Sequence, residues 1–575
     1  MPLPSLFGAL FPAFHLHSWA HIALSLLALI AATLFAAYLY AYPIRLARLH
    51  FYNLPAGPEP ESFLWGSLPT LLKSEPNVPQ GEWTAKYGHT IRYRMQLGAP
   101  RFMTLDATGL NYILSHPDVF PKPDVTRRAL ADMLGNGLLT SEGEDHKRQR
   151  RALNPSFSVG AIKNMVPTFY DKAYELQAKL LALVENDDPS EKASPTPAKE
   201  EDFVPGGKKI DVMRYLGKTT LDVIGVTGFG YDFKTLSEPN NALSDAYAQM
   251  FTAGMNITFK DFVLNRIPLI RHIPTEKSRI IASSRKITRD MGAKLVKDKK
   301  EVVMASFGDD LEKGQDIGKD LLSILIKANM AADLKPEQRL TDEEVLNQIT
   351  TFMLAGNETT STGLSWTLYN LALNMDVQAK LREEVMSIPD ERPDLETLNS
   401  LTYMDAVLRE ALRLCPPAPG TIRQAKEDVV IPLGVPLKGR DGTMMESVGI
   451  NKGTMVFIPI ANVNCSEAIW GPNASKFDPS RFLSSSTEVK PTHVPGVWGN
   501  LLTFLGGTRN CIGYKFALAE MKAILSVLMK NFEFQELKSK PEVEKRSAVV
   551  MRCRIKGEED AGLQMPLMVV PLEAV

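Results

Sequence analysis

Residues 504–513 read FLGGTRNCIG, and the stretch after them, YKFALAEMKAILSVLMKNF, repeats its apolar residues at helical spacing. Any fold of this chain must therefore hold Cys511 just ahead of a helix N-terminus. Free backbone N–H groups and the positive end of the helix dipole favour a thiolate there. Glycines on both sides of the cysteine let backbone amides approach the sulfur and leave space above it for something flat and bulky. A buried thiolate needs a cation, which a metal ion supplies. An inert buried thiol is the commoner fate of a lone cysteine, but it leaves the glycines and Arg509 without a purpose. Cys415, Cys465 and Cys553 share no spacing that would make a disulfide framework or a zinc site. A reducing compartment follows.

A second segment, TDEEVLNQITTFMLAGNETTSTGLSWTLYNLALN at 341–374, opens with a capping box, Thr341 and Glu344. It reads as one helix of roughly 50 Å at 1.5 Å per residue. Its apolar pattern gives way midway to Ala355, Gly356, Asn357, Glu358, Thr359 and Thr360. Small residues there admit a planar group against the helix, and threonine hydroxyls compete for backbone carbonyls. A plain packing site between two helices is the competing reading. In VLREALRL, 407–414, Glu410 and Arg413 fall one helical turn apart amid apolar neighbours. Burial of that pair without further partners would be costly.

At the N-terminus, residues 22–41 carry no charge and are long enough to cross a bilayer as a helix. Trp19 at one end and Tyr38, Tyr40 and Tyr42 at the other suit the membrane interface, and Arg45 and Arg48 follow directly. The positive-inside bias puts the remainder in the cytosol. LPAGPEP, 54–60, reads as a stiff proline-rich hinge. Residues 87–105 carry a hairpin signal at Gly98-Ala99-Pro100, and 185–209 reads as a mobile polar insert. Residues 434–449 read as an irregular insert ahead of a strand in INKGTMVFIPI. With Lys plus Arg at 65 against 66 Asp plus Glu, the chain lacks the basic surplus a nucleic-acid partner demands.

Phe504, Gly507, Arg509, Cys511 and Gly513 fit F-x-x-G-x-R-x-C-x-G. On this motif the chain resembles the cytochrome P-450 superfamily of haem-thiolate monooxygenases, nearest to its membrane-anchored fungal members. The resemblance implies a mainly α fold with small β-sheets, preceded by one N-terminal transmembrane helix. Residues 1–53 would form the anchor and its flanks, and 61–575 the catalytic domain. The cofactor implied is haem b, with Cys511 as axial ligand to iron; thiolate ligation favours O–O cleavage. Arg509 would pair with a haem propionate, as would Arg423 and Arg150, with His146 standing where the family often has tryptophan. Glu358 and Thr359 match the acid–alcohol pair that delivers protons in oxygen activation. Arg481, in FDPSRF, matches the arginine that completes a structural network with Glu410 and Arg413.

Phe352, Ala355, Ala418 and Thr421 fall where the family's substrate pocket lies, together with segments around 120–139 and 246–262. Their aliphatic, Met-rich character leans towards a sterol, triterpenoid or other lipid. The stretch 262–274 is a candidate second membrane contact or a plain core contact. Lys147, Arg148 and Arg151 read either as a solvated helix face or, with Lys515 and Lys522, as a docking surface for an acidic electron donor. No flavin domain follows the cysteine helix, so the resemblance implies NADPH and flavins acting through a separate reductase, with cytochrome b5 as a further partner. The setting implied is the endoplasmic reticulum membrane, crossed once, and secondary metabolism. Two rivals stay open: a same-fold isomerase or dehydratase that activates no O2, and a non-catalytic haem-binding protein at the membrane.

Overall fold

The computed structural model describes residues 21–38, 55–185, 193–238, 241–255, 275–307, 320–330, 335, 338–483, 493–547 and 549–572. Along the chain the principal elements are α1 (His21–Tyr38), β1 (Thr90–Arg94), β2 (Pro100–Thr104), α2 (Ala107–Ser115), α3 (Gly143–Leu153), α4 (Val166–Glu185), β3 (Lys208–Asp211), α5 (Val212–Phe229) and α6 (Glu276–Phe307). There follow α7 (Asp342–Leu373), α8 (Met375–Met386), α9 (Thr402–Leu414), β4 (Thr421–Gln424), β5 (Val429–Lys438), β6 (Met444–Ile450), β7 (Met455–Ile458), α10 (Tyr514–Asn531), β8 (Phe532–Gln535), β9 (Val543–Ser547), β10 (Met551–Ile555) and β11 (Pro566–Pro571).

The long helix forms as its sequence requires. Thr341 Oγ1 accepts from Glu344 N at 3.2 Å and the Glu344 carboxylate accepts from Thr341 N at 2.9 Å, closing the capping box. Asp342, Glu343 and Glu344 place three carboxylates against the positive end of its dipole. From Val345 onward almost every side chain is buried, so α7 is a central rod and not an amphipathic surface helix. Packed around it are α5, α6, α9 and α10, and these helices share one large apolar core. A smaller second core lies under the sheet β1-β2-β7-β4. In that sheet β1 and β2 form the expected antiparallel hairpin, β7 adds parallel to β2, and β4 pairs antiparallel with β7.

Helix α1 is long and apolar enough to cross a membrane, and Leu24, Leu27 and Leu34 are 63–66% exposed. Trp19, Tyr40, Tyr42, Arg45, Arg48, residues 39–41 of the expected span and the stretch 262–274 lie outside the described residues.

Three expectations are corrected. The proline-rich stretch lies along β1: Arg92 Nε donates to Pro55 O at 2.9 Å and Arg92 N to Ala56 O at 3.0 Å. A Cβ on Gly57 would fall 1.7 Å from Arg92 O, so only glycine allows this approach. The described part of the polar insert is tied down. Asp202 Oδ1 accepts from Ser539 N at 2.8 Å, Lys209 Nζ donates to Thr196 Oγ1 at 3.0 Å, and β3 pairs with β11. Hydrogen bonds within the insert, to Ser539 and to strand β11 substitute for the apolar burial the insert lacks. Residues 434–449 belong to a β-hairpin, β5 with β6, irregular only at the bulge between Pro432 and Leu437.

One carboxylate anchors that hairpin. Asp106 caps α2 through Gly109 N at 2.9 Å and also accepts from Gly434 N at 2.9 Å and Val435 N at 3.0 Å. Asp106→Ala leaves these amides without their charged acceptor. A loss of about 2 kcal/mol is expected, read as a lower thermal midpoint together with faster amide exchange confined to α2 and the start of the hairpin.

Candidate active site

The cysteine loop is closed by Cys511 N donating to Phe504 O at 2.9 Å. The Phe504 ring packs edge-on to Trp498, with centroids 5.6 Å apart. Gly507 sits at φ +67°, and a Cβ there would meet Leu114 O at 2.4 Å. Gly506 is tighter still, with Pro495 O only 1.6 Å from the place a Cβ would occupy. Gly513, by contrast, has φ −93° and room for a Cβ beside Phe157. What it contributes is its backbone N–H, which draws the Cys511 thiol down.

Cys511 remains open to solvent although it stands between well-packed elements. The surrounding protein atoms push its thiol up, against the opposing pull of the Gly513 N–H and Arg150. The helix terminus opposes that rise without cancelling it, and a cation placed at the sulfur would favour the thiolate further.

Cations converge beside the loop. Arg150 Nη1 donates to Asn510 O at 2.7 Å, and its other nitrogen reaches Asn510 Oδ1. Arg509 Nη2 pairs with Glu142 Oε2 at 2.6 Å, and Lys122 Nζ with Glu142 Oε1 at 3.1 Å. Arg423 is buried, and its Nη1 bonds only to Thr421 Oγ1 and Ile422 O, each at 2.9 Å; among the described residues no carboxylate pairs with it. Burial lowers its pKa to about 10. Burial, then the neighbouring Arg423 and Arg509 working against Glu142, lowers Lys122 to about 8. His146 falls to about 3 through burial and the nearby Arg509, Lys122 and Arg150, so its ring stays neutral. Four cations, Arg423 buried and Lys122, Arg150 and Arg509 partly buried, against the single carboxylate of Glu142 make an excess of positive charge, which is costly unless an anion shares the space. A flat group bearing carboxylates, with its metal at Cys511, fits this donor set. Among the described residues no group of three or more His, Cys, Asp or Glu is arranged around a bare ion.

Along α7 the small residues divide. A Cβ on Gly356 would press on Ile224 of α5 at 3.2 Å, and Asn357 accepts from Thr220 at 2.7 Å; these two serve helix packing. Ala355 and Thr359, one turn apart, keep a partly open strip in an otherwise buried helix. Thr359 Oγ1 donates to Ala355 O at 2.8 Å. Glu358 is buried and ion-paired with Arg552 of β10. Phe352 stacks on Phe157, centroids 5.4 Å apart, at the closed end of this strip. Ala418 is partly open, and Thr421 engages Arg423.

Glu410, Arg413 and Arg481 meet. Arg413 donates to both oxygens of Glu410 at 2.7 and 2.8 Å, and Arg481 Nε to Oε1 at 3.1 Å. The remaining Arg413 donors reach Asn464 O at 2.9 Å, Ala474 O at 2.6 Å and Lys476 O at 3.2 Å. A fully buried ion pair persists only when its other hydrogen bonds are met in this way. The basic face is narrower than expected. Lys522 is buried against Asp405 at 3.2 Å and Arg148 bridges to Glu344 at 2.6 Å, leaving Lys147, Arg151 and Lys515 exposed.

Lys122, Glu142, Asn510 and Arg552 escaped the sequence reading. Only Asn510, inside the cysteine loop, carried a local signal.

A family model described as cytochrome P450 matches residues 55–554. The chain is 41% identical over 537 residues to cytochrome P450 monooxygenase 205 of Postia placenta, covering 92% of this chain and 95% of that protein. Cytochrome P450 monooxygenase 128 of the same fungus is 40% identical, with 92% and 93% covered. Cytochrome P450 monooxygenase claQ of Ampulloclitocybe clavipes is 34% identical, with 90% and 93% covered. The chain belongs to the cytochrome P450 family. It is a fungal-type P450 monooxygenase, and membership implies haem iron as cofactor.

For this P450 the two loop glycines should respond differently. Gly507→Ala puts a Cβ into a backbone carbonyl at a left-handed position, with an expected cost of about 2–4 kcal/mol. Gly513→Ala should cost under about 1 kcal/mol. Thermal midpoints and haem retention of the two variants check this contrast.

Proposed function

We propose that this P450 inserts one oxygen atom from O2 into a hydrophobic substrate, using haem b held by Cys511 and electrons from a separate NADPH-dependent flavoprotein reductase. The observation that carries the reading is an open cysteine sulfur at a helix N-terminus, flanked by four cations of which only Arg509 and Lys122 are bonded to Glu142. Bound there, haem supplies O2 activation at its iron, with thiolate ligation favouring O–O cleavage. Arg150, Arg423, Arg509 and Lys122 neutralise its propionates, and Arg509 and Lys122 exchange part of their bonding to Glu142 for that role. Neutral His146 contributes a hydrogen bond and no charge. The Glu410–Arg413–Arg481 network holds the segments behind the loop rigid.

Thr359 lies on the open strip of α7 and needs only to turn from Ala355 O to pass a proton. Glu358 must first open its ion pair with Arg552, so proton supply at this residue is gated by that contact. Ala355, Ala418 and Thr421 border the substrate space, with Phe352 closing one end. The aliphatic lining and the anchor α1 favour a bulky lipid of sterol or triterpenoid type that enters from the membrane. Helix α1 crosses the endoplasmic reticulum membrane once and leaves the catalytic domain in the cytosol. Lys147, Arg151 and Lys515 offer a basic face to the reductase, with cytochrome b5 as a second donor.

Thr359→Ala in the full-length enzyme, reconstituted with reductase, should cut product formed per NADPH by about tenfold and release peroxide in its place. Unchanged coupling removes Thr359 from proton delivery. Ferric spin-state titrations across sterols, triterpenoids, fatty acids and aromatics should give the tightest binding with the first two classes; a preference for aromatics contradicts the lipid assignment.

A further inference from the structure

Helices α7 and α10 approach closely one turn beyond Thr359: a Cβ on Gly363 would fall 2.5 Å from Met521 Cε. Glu520, on the face of α10 turned inward there, is 1% exposed, and neither carboxyl oxygen has a hydrogen-bond partner. The polar group bearing on it is the hydroxyl of Thr360, which is also 1% exposed and also unpartnered. The neighbours of Thr360 behave differently. Thr359 and Ser361 return their hydroxyls to the carbonyls of Ala355 and Asn357 at 2.8 and 2.9 Å, whereas Thr360 makes no such bond. Two orphaned polar groups therefore face each other across the contact between the helix carrying Glu358 and Thr359 and the helix following Cys511.

The charged groups around this contact are engaged elsewhere. On α10 itself Lys522 goes to Asp405, and on α7 Glu358 goes to Arg552. Arg382 of α8 donates to Met529 O and Phe532 O, and Lys172 of α4 pairs with Glu175 and Asp232. Lys163, near the start of α4, pairs with Glu396. Among the described residues no counter-charge is left for a carboxylate at 520, and an unpaired buried carboxylate is expensive. A carboxylic acid avoids that cost and gains a donor.

We propose that Glu520 is a neutral carboxylic acid in the folded protein, that its O–H donates to Thr360 Oγ1, and that this bond positions the Glu358–Thr359 segment against the cysteine helix. Glu520 is thus a positioning residue, acting through α7. The inference rests on the proton-delivery reading only for its effect on coupling; the protonation state itself is read without turnover.

Infrared difference spectra of the full-length holoenzyme at neutral pH should contain the carbonyl stretch of a protonated carboxyl that E520Q lacks and that T360V shifts. Absence of that band, or a band that T360V leaves in place, overturns the assignment. Stability gives a second readout. Burial raises this carboxyl well above its ordinary value of 4.5, so the folded state binds a proton that the unfolded state releases. Wild-type stability then falls as pH rises from about 4.5 towards the folded value, and E520Q removes that slope. Parallel pH curves for the two proteins mean an ionised carboxylate and contradict the proposal. Under turnover E520Q, which keeps a neutral donor, should retain wild-type product per NADPH, while E520L should lose several-fold. Equal damage in both variants also overturns it. An enzyme that fails to oxidise any substrate leaves the infrared and stability results intact, so the two failures are distinguishable.

Discussion

One sulfur atom has to stay open in the middle of a close-packed protein, and loop 504–513 keeps it so. Gly506 and Gly507 press the loop against Pro495 and Leu114 with no space for side chains. The Cys511-to-Phe504 bond closes it, and Gly513 hands the sulfur on to the first turn of α10. The helical body serves that geometry. Buried α7 supplies a rigid wall whose small residues divide between packing on α5 and leaving a strip open, and the Glu410–Arg413–Arg481 network fixes the segments that flank the loop.

Electrostatics points the same way. Protein atoms around Cys511 push its thiol up, while Lys122, Arg150, Arg423 and Arg509 stand near one another, with only Lys122 and Arg509 bonded to Glu142. A cation cluster left under-compensated is costly to a folded protein, and a thiol pushed up in this way becomes a thiolate only beside a further cation. On the proposed reading one ligand resolves both: a metal cation at the sulfur and carboxylates at the arginines. Family membership makes haem that ligand's identity, and the site residues of this chain suit it.

Much of this was legible in the sequence, for physical reasons that differ by element. The capping box and the helical pattern on either side of Ala355–Thr360 identified α7, and period and turn residues identified β1, β2 and β7. The cysteine loop was legible because glycine at Gly507 answers a steric demand that no other residue meets. Long-range polar contacts were not legible. Lys122 and Glu142 lie about twenty residues apart and meet only when α3 docks, and Arg552 reaches Glu358 from a strand nearly two hundred residues on. The insert 185–209 misled because composition reports missing apolar burial but not hydrogen bonds made to distant strands. Lys522 misled because a lysine's charge in sequence does not disclose that Asp405 will bury it.

The central claim is that sulfur at position 511 binds iron. Resonance Raman spectra of the purified full-length protein, grown with 34S-cysteine, test it most directly. The account predicts an iron–sulfur stretch that moves to lower frequency with the heavier isotope. A protein whose haem vibrations ignore the label, or that holds its haem through histidine, contradicts it.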